Sequence, residues 1–143
     1  MKICVRAYFK ALARERLKRR IINNFFKPPK ARKIIADKDI VCYQILIGDR
    51  GYVNCVKYPI GKLMPEERVY RIGGVAYGVY WMYMDPIIAM SHLWEADVER
   101  RRTGLDDPIS ADDIHKFIIP KGTLCYYTPT RGEYVAATVK RIS

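Results

Sequence analysis

Three residues whose side chains could bind a metal ion are spaced in the sequence so that a helix would place them on one face. His92, Glu95 and Glu99 would lie on one face of a helix, which brings an imidazole and two carboxylates together. Ligands from a single helix cannot surround a metal ion, and the sequence offers no second ligand group. We therefore predict no metal site.

The sequence also contains no clear motif for cysteine chemistry or for phosphate binding. The cysteines form no C-x-x-C pair, so neither a zinc site nor a redox pair is indicated, and buried thiols are expected although two disulfides are conceivable. The four cysteines are Cys4, Cys42, Cys55 and Cys125. The glycines around residues 73–78 match neither of the common phosphate-binding loops. We predict a protein that is not an enzyme and uses no cofactor.

The strongest signal for binding is an uneven distribution of charge. Residues 1–33 contain twelve Lys and Arg and one acid, Glu15, whereas residues 34–143 contain equal numbers of basic and acidic residues. We call residues 1–33 the basic arm. So little local neutralisation indicates an external polyanion or acidic partner, with a merely solvated helix as the alternative.

Residues 5–22 of the basic arm are good helix formers without Gly or Pro, and the two prolines at 28 and 29 end the predicted helix. Arg16 and Arg20 fall on its apolar face, so the stripe that a membrane-surface helix requires is broken. The predicted contacts to nucleic acid or to an acidic partner are Lys10, Arg14, Arg16, Lys18, Arg19, Arg20, Lys27, Lys30, Arg32 and Lys33. No apolar run reaches the ~18 residues of a membrane span, and no membrane partner is expected.

The remaining residues, 34–143, predict a single α+β domain. Strands are predicted at 40–47, 52–58, 69–72, 77–84, 114–119, 124–127 and 133–142. Asp85 and Pro86 begin a helix that runs to residue 102, with an inner face of Ile87, Ile88, Met90, His92, Leu93, Trp94 and Val98. The aromatic segment 77–84 is apolar on both faces, which favours a core strand over a base-stacking surface. The predicted fold is a basic N-terminal helix followed by a mostly antiparallel sheet with one main helix packed on it.

The body resembles a group of small bacteriophage and bacterial proteins. The resemblance rests on IVCY at 40–43, IPKGT at 119–123, Tyr126, Tyr127 and GEYV at 132–135, and it extends over residues 40–142. These are turn and strand residues, so the resemblance implies a phage-like origin and no particular chemistry. The basic arm lies outside it.

A second resemblance is to the ADP-ribosyltransferase fold. It rests on the IPKGT-like turn and on Glu133 near a late strand, which would stand for the catalytic glutamate of that family. Residues 77–84 would occupy the position of the family's S-T-S motif but contain no Ser or Thr, and no matching Arg precedes them. The resemblance therefore implies a relative that has lost NAD binding.

Three functional hypotheses follow. The first is a non-enzymatic phage-type accessory or virion-associated protein, located in the host cytoplasm or the virion, whose basic arm binds nucleic acid or an acidic surface of a larger assembly. The second is a host-directed inhibitor, such as an anti-defence protein, that docks on a nucleic-acid enzyme. The third is a divergent ADP-ribosyltransferase-like enzyme.

Overall fold

A computed structural model describes residues 14, 16, 30–102, 104 and 109–143. Over these residues the chain forms ten strands, two α-helices and a short 3-10 helix at Ala111–Asp113. The strands are β1 (Arg32–Ile35), β2 (Ile40–Ile47), β3 (Arg50–Gly51), β4 (Tyr70–Ile72), β5 (Val75–Tyr77), β6 (Tyr80–Tyr83), β7 (Ile114–Ile119), β8 (Leu124–Thr128), β9 (Glu133–Ala136) and β10 (Lys140–Arg141). The helices are α1 (Pro86–Ser91) and α2 (Leu93–Arg102). The predicted α+β class is confirmed, whereas the predicted helix at 5–22 lies outside the described residues except for Arg14 and Arg16, whose backbone is helical.

The main sheet has the order β1-β8-β9-β6-β2-β7-β10, with β3 attached to β2, and every pairing between its strands is antiparallel. β4 and β5 form a separate two-stranded ribbon. The mostly antiparallel sheet that the sequence predicts is thus confirmed. β1 begins at Arg32, so the sheet starts two residues before the predicted domain boundary at residue 34.

The core lies on both faces of the sheet because β2 alternates its side chains between them. Cys42 and Leu46 point to one face, where they pack with Phe117 and other buried residues. Ile45 points to the other face, where it packs with Tyr52 beneath the helices. In the described part of the chain, α1 and α2 pack on the face of Ile45, through Ala89 and Ala96.

Three predicted strands differ from the observed ones, and one of them, predicted at 133–142, is divided into β9 and β10. The strand predicted at 52–58 is wrong: only Arg50–Gly51 pair with β2, and the chain then turns at Cys55, whose φ is 61°. The side chain of Asn54 holds this turn by donating to the Val79 carbonyl. The strand predicted at 77–84 is divided between β5 and β6, with Gly78 between them.

The predicted helix start is confirmed, and the predicted inner face is right only in part: Ile88 and Leu93 pack against the core, whereas Ile87, Met90 and Trp94 are exposed. The Asp85 carboxylate accepts a hydrogen bond of 2.8 Å from the Ile88 amide and Pro86 occupies the first turn. The single predicted helix is broken at His92, which caps α1 and shifts the phase of α2. Ile87 and Trp94 are 76% and 68% exposed, and the buried helix residues are Ala89, Ala96 and Glu99. None of the helices in the described part of the chain is long and apolar enough to cross a membrane.

Candidate functional site

The helical carboxylates that raised the question of a metal site contact an arginine of the basic arm. Arg16 Nη2 forms an ion pair with Glu99 Oε1, and its Nη1 lies 3.6 Å from Glu95 Oε2. His92 Nδ1 is 3.5 Å from the same Glu95 oxygen. Within the described ranges, no group of three or more His, Cys, Asp and Glu side chains could hold a metal ion. Glu95 and Glu99, which the helical spacing places on one face, thus bind the guanidinium group of Arg16.

Buried tyrosines lie next to this ion pair. The Arg16 guanidinium carbon is 4.8 Å from the centroid of the Tyr52 ring, a cation–π contact. The Tyr52 hydroxyl hydrogen-bonds to the Tyr83 hydroxyl, and the Tyr83 ring stacks on His92 at 4.9 Å. Burial raises the pKa of both tyrosines, so their hydroxyls stay protonated at physiological pH. This cluster joins the basic arm to the body through Arg16.

The other candidate chemical groups are also enclosed. Glu133 is 5% exposed, and its Oε2 accepts a hydrogen bond of 2.8 Å from the Trp81 indole. Cys42, Cys55 and Cys125 are unbridged and buried, and burial raises the pKa of Cys125 to about 11, which keeps it a thiol. Cys4 lies outside the described residues.

Four of the predicted contact residues are exposed and one is not. Arg14, Lys30, Arg32 and Lys33 are exposed. Arg16 is half-buried and forms ion pairs with the carboxylates of α2, and its contact with an external partner stays a prediction. Lys10, Lys18, Arg19, Arg20 and Lys27 lie outside the described residues.

A second group of cations, which the sequence reasoning missed, lies on the β4–β5 ribbon. The Tyr70 and Tyr77 rings stack at 5.5 Å with an angle of 23° between them, and the Arg68 guanidinium carbon is 5.5 Å from the Tyr70 centroid. Arg71 Nη1 donates to the Ala31 carbonyl at 2.8 Å, and the Ala31 amide donates to Gly74 at 2.9 Å. These bonds join the ribbon to the start of β1. In the sequence, the arginines and tyrosines that alternate in RVYRIGGVAY, residues 68–77, indicate this group of cations and rings.

The ribbon and the start of β1 together form one surface. We call it the basic–aromatic surface, and it consists of Lys33, Arg68, Tyr70 and Tyr77, with Arg71 joining the ribbon to Ala31. Arg32 projects to the opposite side of β1 because successive strand residues alternate. Glu66 and Glu67 are close in sequence, but neither forms an ion pair with these cations in the described part of the chain. The surface therefore keeps a surplus of positive charge beside two stacked rings.

Gly78 sets how closely the ribbon approaches the sheet. A Cβ at this position would lie 2.6 Å from Val135 Cγ1 and 3.0 Å from Val69 Cγ1. We expect Gly78→Ala to lower the free energy of unfolding by about 1–3 kcal/mol, measured by urea denaturation, because the added methyl overpacks this contact. Adding Val135→Ala should recover part of the loss in a double-mutant cycle, since it removes the clashing methyl groups. Unchanged stability in Gly78→Ala would contradict the close contact.

No protein-family model matches this chain, and no curated protein or solved structure shows significant similarity to it.

Proposed function

We propose that this chain is a non-enzymatic, phage-type accessory protein that binds nucleic acid through the basic arm and the basic–aromatic surface. The observation that carries the proposal is the exposed Arg68, whose guanidinium lies over the Tyr70 ring, beside the stack of Tyr70 and Tyr77. The phage-like origin rests on the sequence resemblance alone. We also propose that residues 5–22 are helical and that the protein works in the host cytoplasm or in the virion, as part of a larger assembly.

The aromatic component favours nucleic acid over an acidic protein surface. Carboxylates on a protein need only cations as partners, whereas a nucleic acid combines phosphates with the flat faces of its bases. Arg68 and Tyr70 present both kinds of partner within one side-chain pair. An enzymatic function has no comparable support, because Glu133 is enclosed and bonded to Trp81.

The contact between Arg16 and α2 gives the basic arm a fixed attachment to the body. Arg14, two residues earlier, is exposed. One attached arginine beside an exposed one would hold the arm along the body while leaving other cations for phosphate contacts. Because the arm and the body surface belong to one chain, contact by one would raise the effective concentration of the other at the ligand.

Removing two cations from the surface is expected to weaken binding by reducing the electrostatic contribution. For Lys33→Ala/Arg68→Ala, the slope of log K against log salt for single-stranded DNA should fall in magnitude by about 1.4, since each phosphate contact contributes about 0.7. The measurement is a fluorescence titration at several salt concentrations with labelled single-stranded and duplex DNA and RNA. The matched control is Lys116→Ala/Lys140→Ala, which removes two exposed lysines from β7 and β10, at the other end of the sheet order from β1.

Two outcomes would count against the proposal. Weak binding that does not depend on salt would rule out a phosphate interface. An equal loss in the Lys116→Ala/Lys140→Ala control would show that net charge, and not this surface, determines affinity. A protein partner that copurifies from host lysate after nuclease treatment, with no affinity for nucleic acid, would support a host-directed inhibitor instead.

A further inference from the structure

The geometry points to a single-stranded nucleic acid as the ligand, with an unpaired base stacking on Tyr70. This inference rests on the proposed nucleic-acid function and specifies its ligand. Tyr70 is 40% exposed although it stacks on Tyr77, so part of its ring is accessible. The Arg68 guanidinium lies over the Tyr70 ring, 5.5 Å from its centroid, while Tyr77 stacks on the ring. A base would stack by displacing this flexible side chain, which would then contact the base or its phosphate.

The ring pair is held in place before any ligand arrives. Ala76, the residue before Tyr77, is 2% exposed and packs with Tyr126 and Val135 on the main sheet. The two hydrogen bonds at Ala31 fix the ribbon to β1. A rigid aromatic platform loses little conformational entropy on binding, which is favourable for affinity.

The ligand is single-stranded because a duplex cannot use this platform. In a double helix the base faces are stacked on each other, and only phosphates and groove edges are accessible. A side chain that offers a flat face therefore gains energy from unpaired bases only. Lys33 is on the same face of the sheet as Tyr126, which packs against Ala76 of the ribbon, so its charge adds to the positive potential that would attract such a strand.

The test compares two probes that carry the same charge. One is a labelled oligothymidylate of about 12 nucleotides, within the usual site size of such surfaces, and the other is an abasic strand of equal length. We expect the protein to prefer the oligothymidylate. In Tyr70→Ala this preference should fall by about 5- to 150-fold, the range for one lost base–aromatic stack, with affinity for the abasic strand unchanged.

Two control variants separate stacking from structural damage. Tyr70→Phe keeps the ring and should keep the preference. Ile72→Ala removes a 63% exposed apolar side chain from the same strand and should also leave the preference intact. A Tyr70→Ala variant that binds both probes as the unmodified protein does, or that loses both equally, would overturn the stacking inference.

The failure of this inference can be distinguished from failure of the proposed function. If the protein binds both probes equally and Lys33→Ala/Arg68→Ala weakens both, a phosphate interface remains and stacking is excluded. Binding to a duplex of the same length that is as tight as, or tighter than, binding to the oligothymidylate would also exclude base stacking on Tyr70. If none of the probes binds, the proposed function itself fails.

Discussion

At pH 8, Arg16→Ala is expected to lower the free energy of unfolding by about 3 kcal/mol, the lower end of the cost of breaking a buried ion pair. The Glu99 side chain is 2% exposed and is paired with Arg16. Without the guanidinium, its carboxylate would remain buried and next to Glu95, which also carries negative charge. The loss of the cation–π contact with Tyr52 adds to the cost. Urea denaturation followed by tryptophan fluorescence measures the change.

Arg14 provides the matched control for this experiment. It has the same charge, lies two residues away and is exposed, so Arg14→Ala should change the stability by no more than about 0.5 kcal/mol. Adding Glu99→Gln to Arg16→Ala should restore much of the stability, because the unpaired carboxylate is then neutral. If Arg16→Ala and Arg14→Ala behave alike, the arm is not attached to α2 through Arg16.

The second large effect comes from Glu99, which is expected to make the free energy of unfolding fall as the pH rises. Burial raises the pKa of Glu99 from 4.5 to about 7; the nearby Arg16 and Arg102 oppose the rise and Glu95 adds to it. Between these two pH values the folded protein holds a proton that the unfolded chain has released. The stabilisation that this proton provides is therefore fully present below pH 4.5 and is lost as the pH rises through 7. Over this range the free energy of unfolding falls by about 3 kcal/mol.

Glu99→Gln is expected to remove this pH dependence. The measurement is the free energy of unfolding at several pH values from 4.5 to 8 for both proteins, and the difference between them isolates Glu99. That difference is needed because His115, whose pKa is lowered mainly by burial, acts in the opposite direction. His92, 3.5 Å from Glu95, is present in both proteins. Parallel stability profiles would show that Glu99 has the same pKa in the folded and unfolded states.

Local sequence patterns predicted β2 and the helix start well. β2 was predicted over its observed length because eight consecutive strand-forming residues end at a Gly-Asp turn. The Asp85-Pro86 helix start depends only on adjacent residues. The face of that helix could not be predicted, because its apolar residues surround the axis and the break at His92 has no strong local signal. Only the packing of Ala89 and Ala96 against the sheet determines the buried side.

The candidate site was harder to predict because its residues come from distant parts of the chain. The sequence predicts the surplus charge of the arm and places Arg16 on the apolar side of its helix, but it does not indicate that Glu99 lies opposite. The basic–aromatic surface was missed because residues 77–84 were read as one strand. Once Tyr77 is assigned to that strand, its pairing with Tyr70 across the Gly73-Gly74 turn is lost.

The cations of β1 have another consequence, because β1 is an outer strand of the main sheet as far as the structure describes it. An outer strand has unpaired backbone groups that can recruit the strand of another molecule and start aggregation. Arg32 and Lys33 place two like charges on this strand, so two copies that approach edge to edge repel each other. The same lysine that contributes to the proposed interface therefore also helps to keep the protein soluble at high concentration.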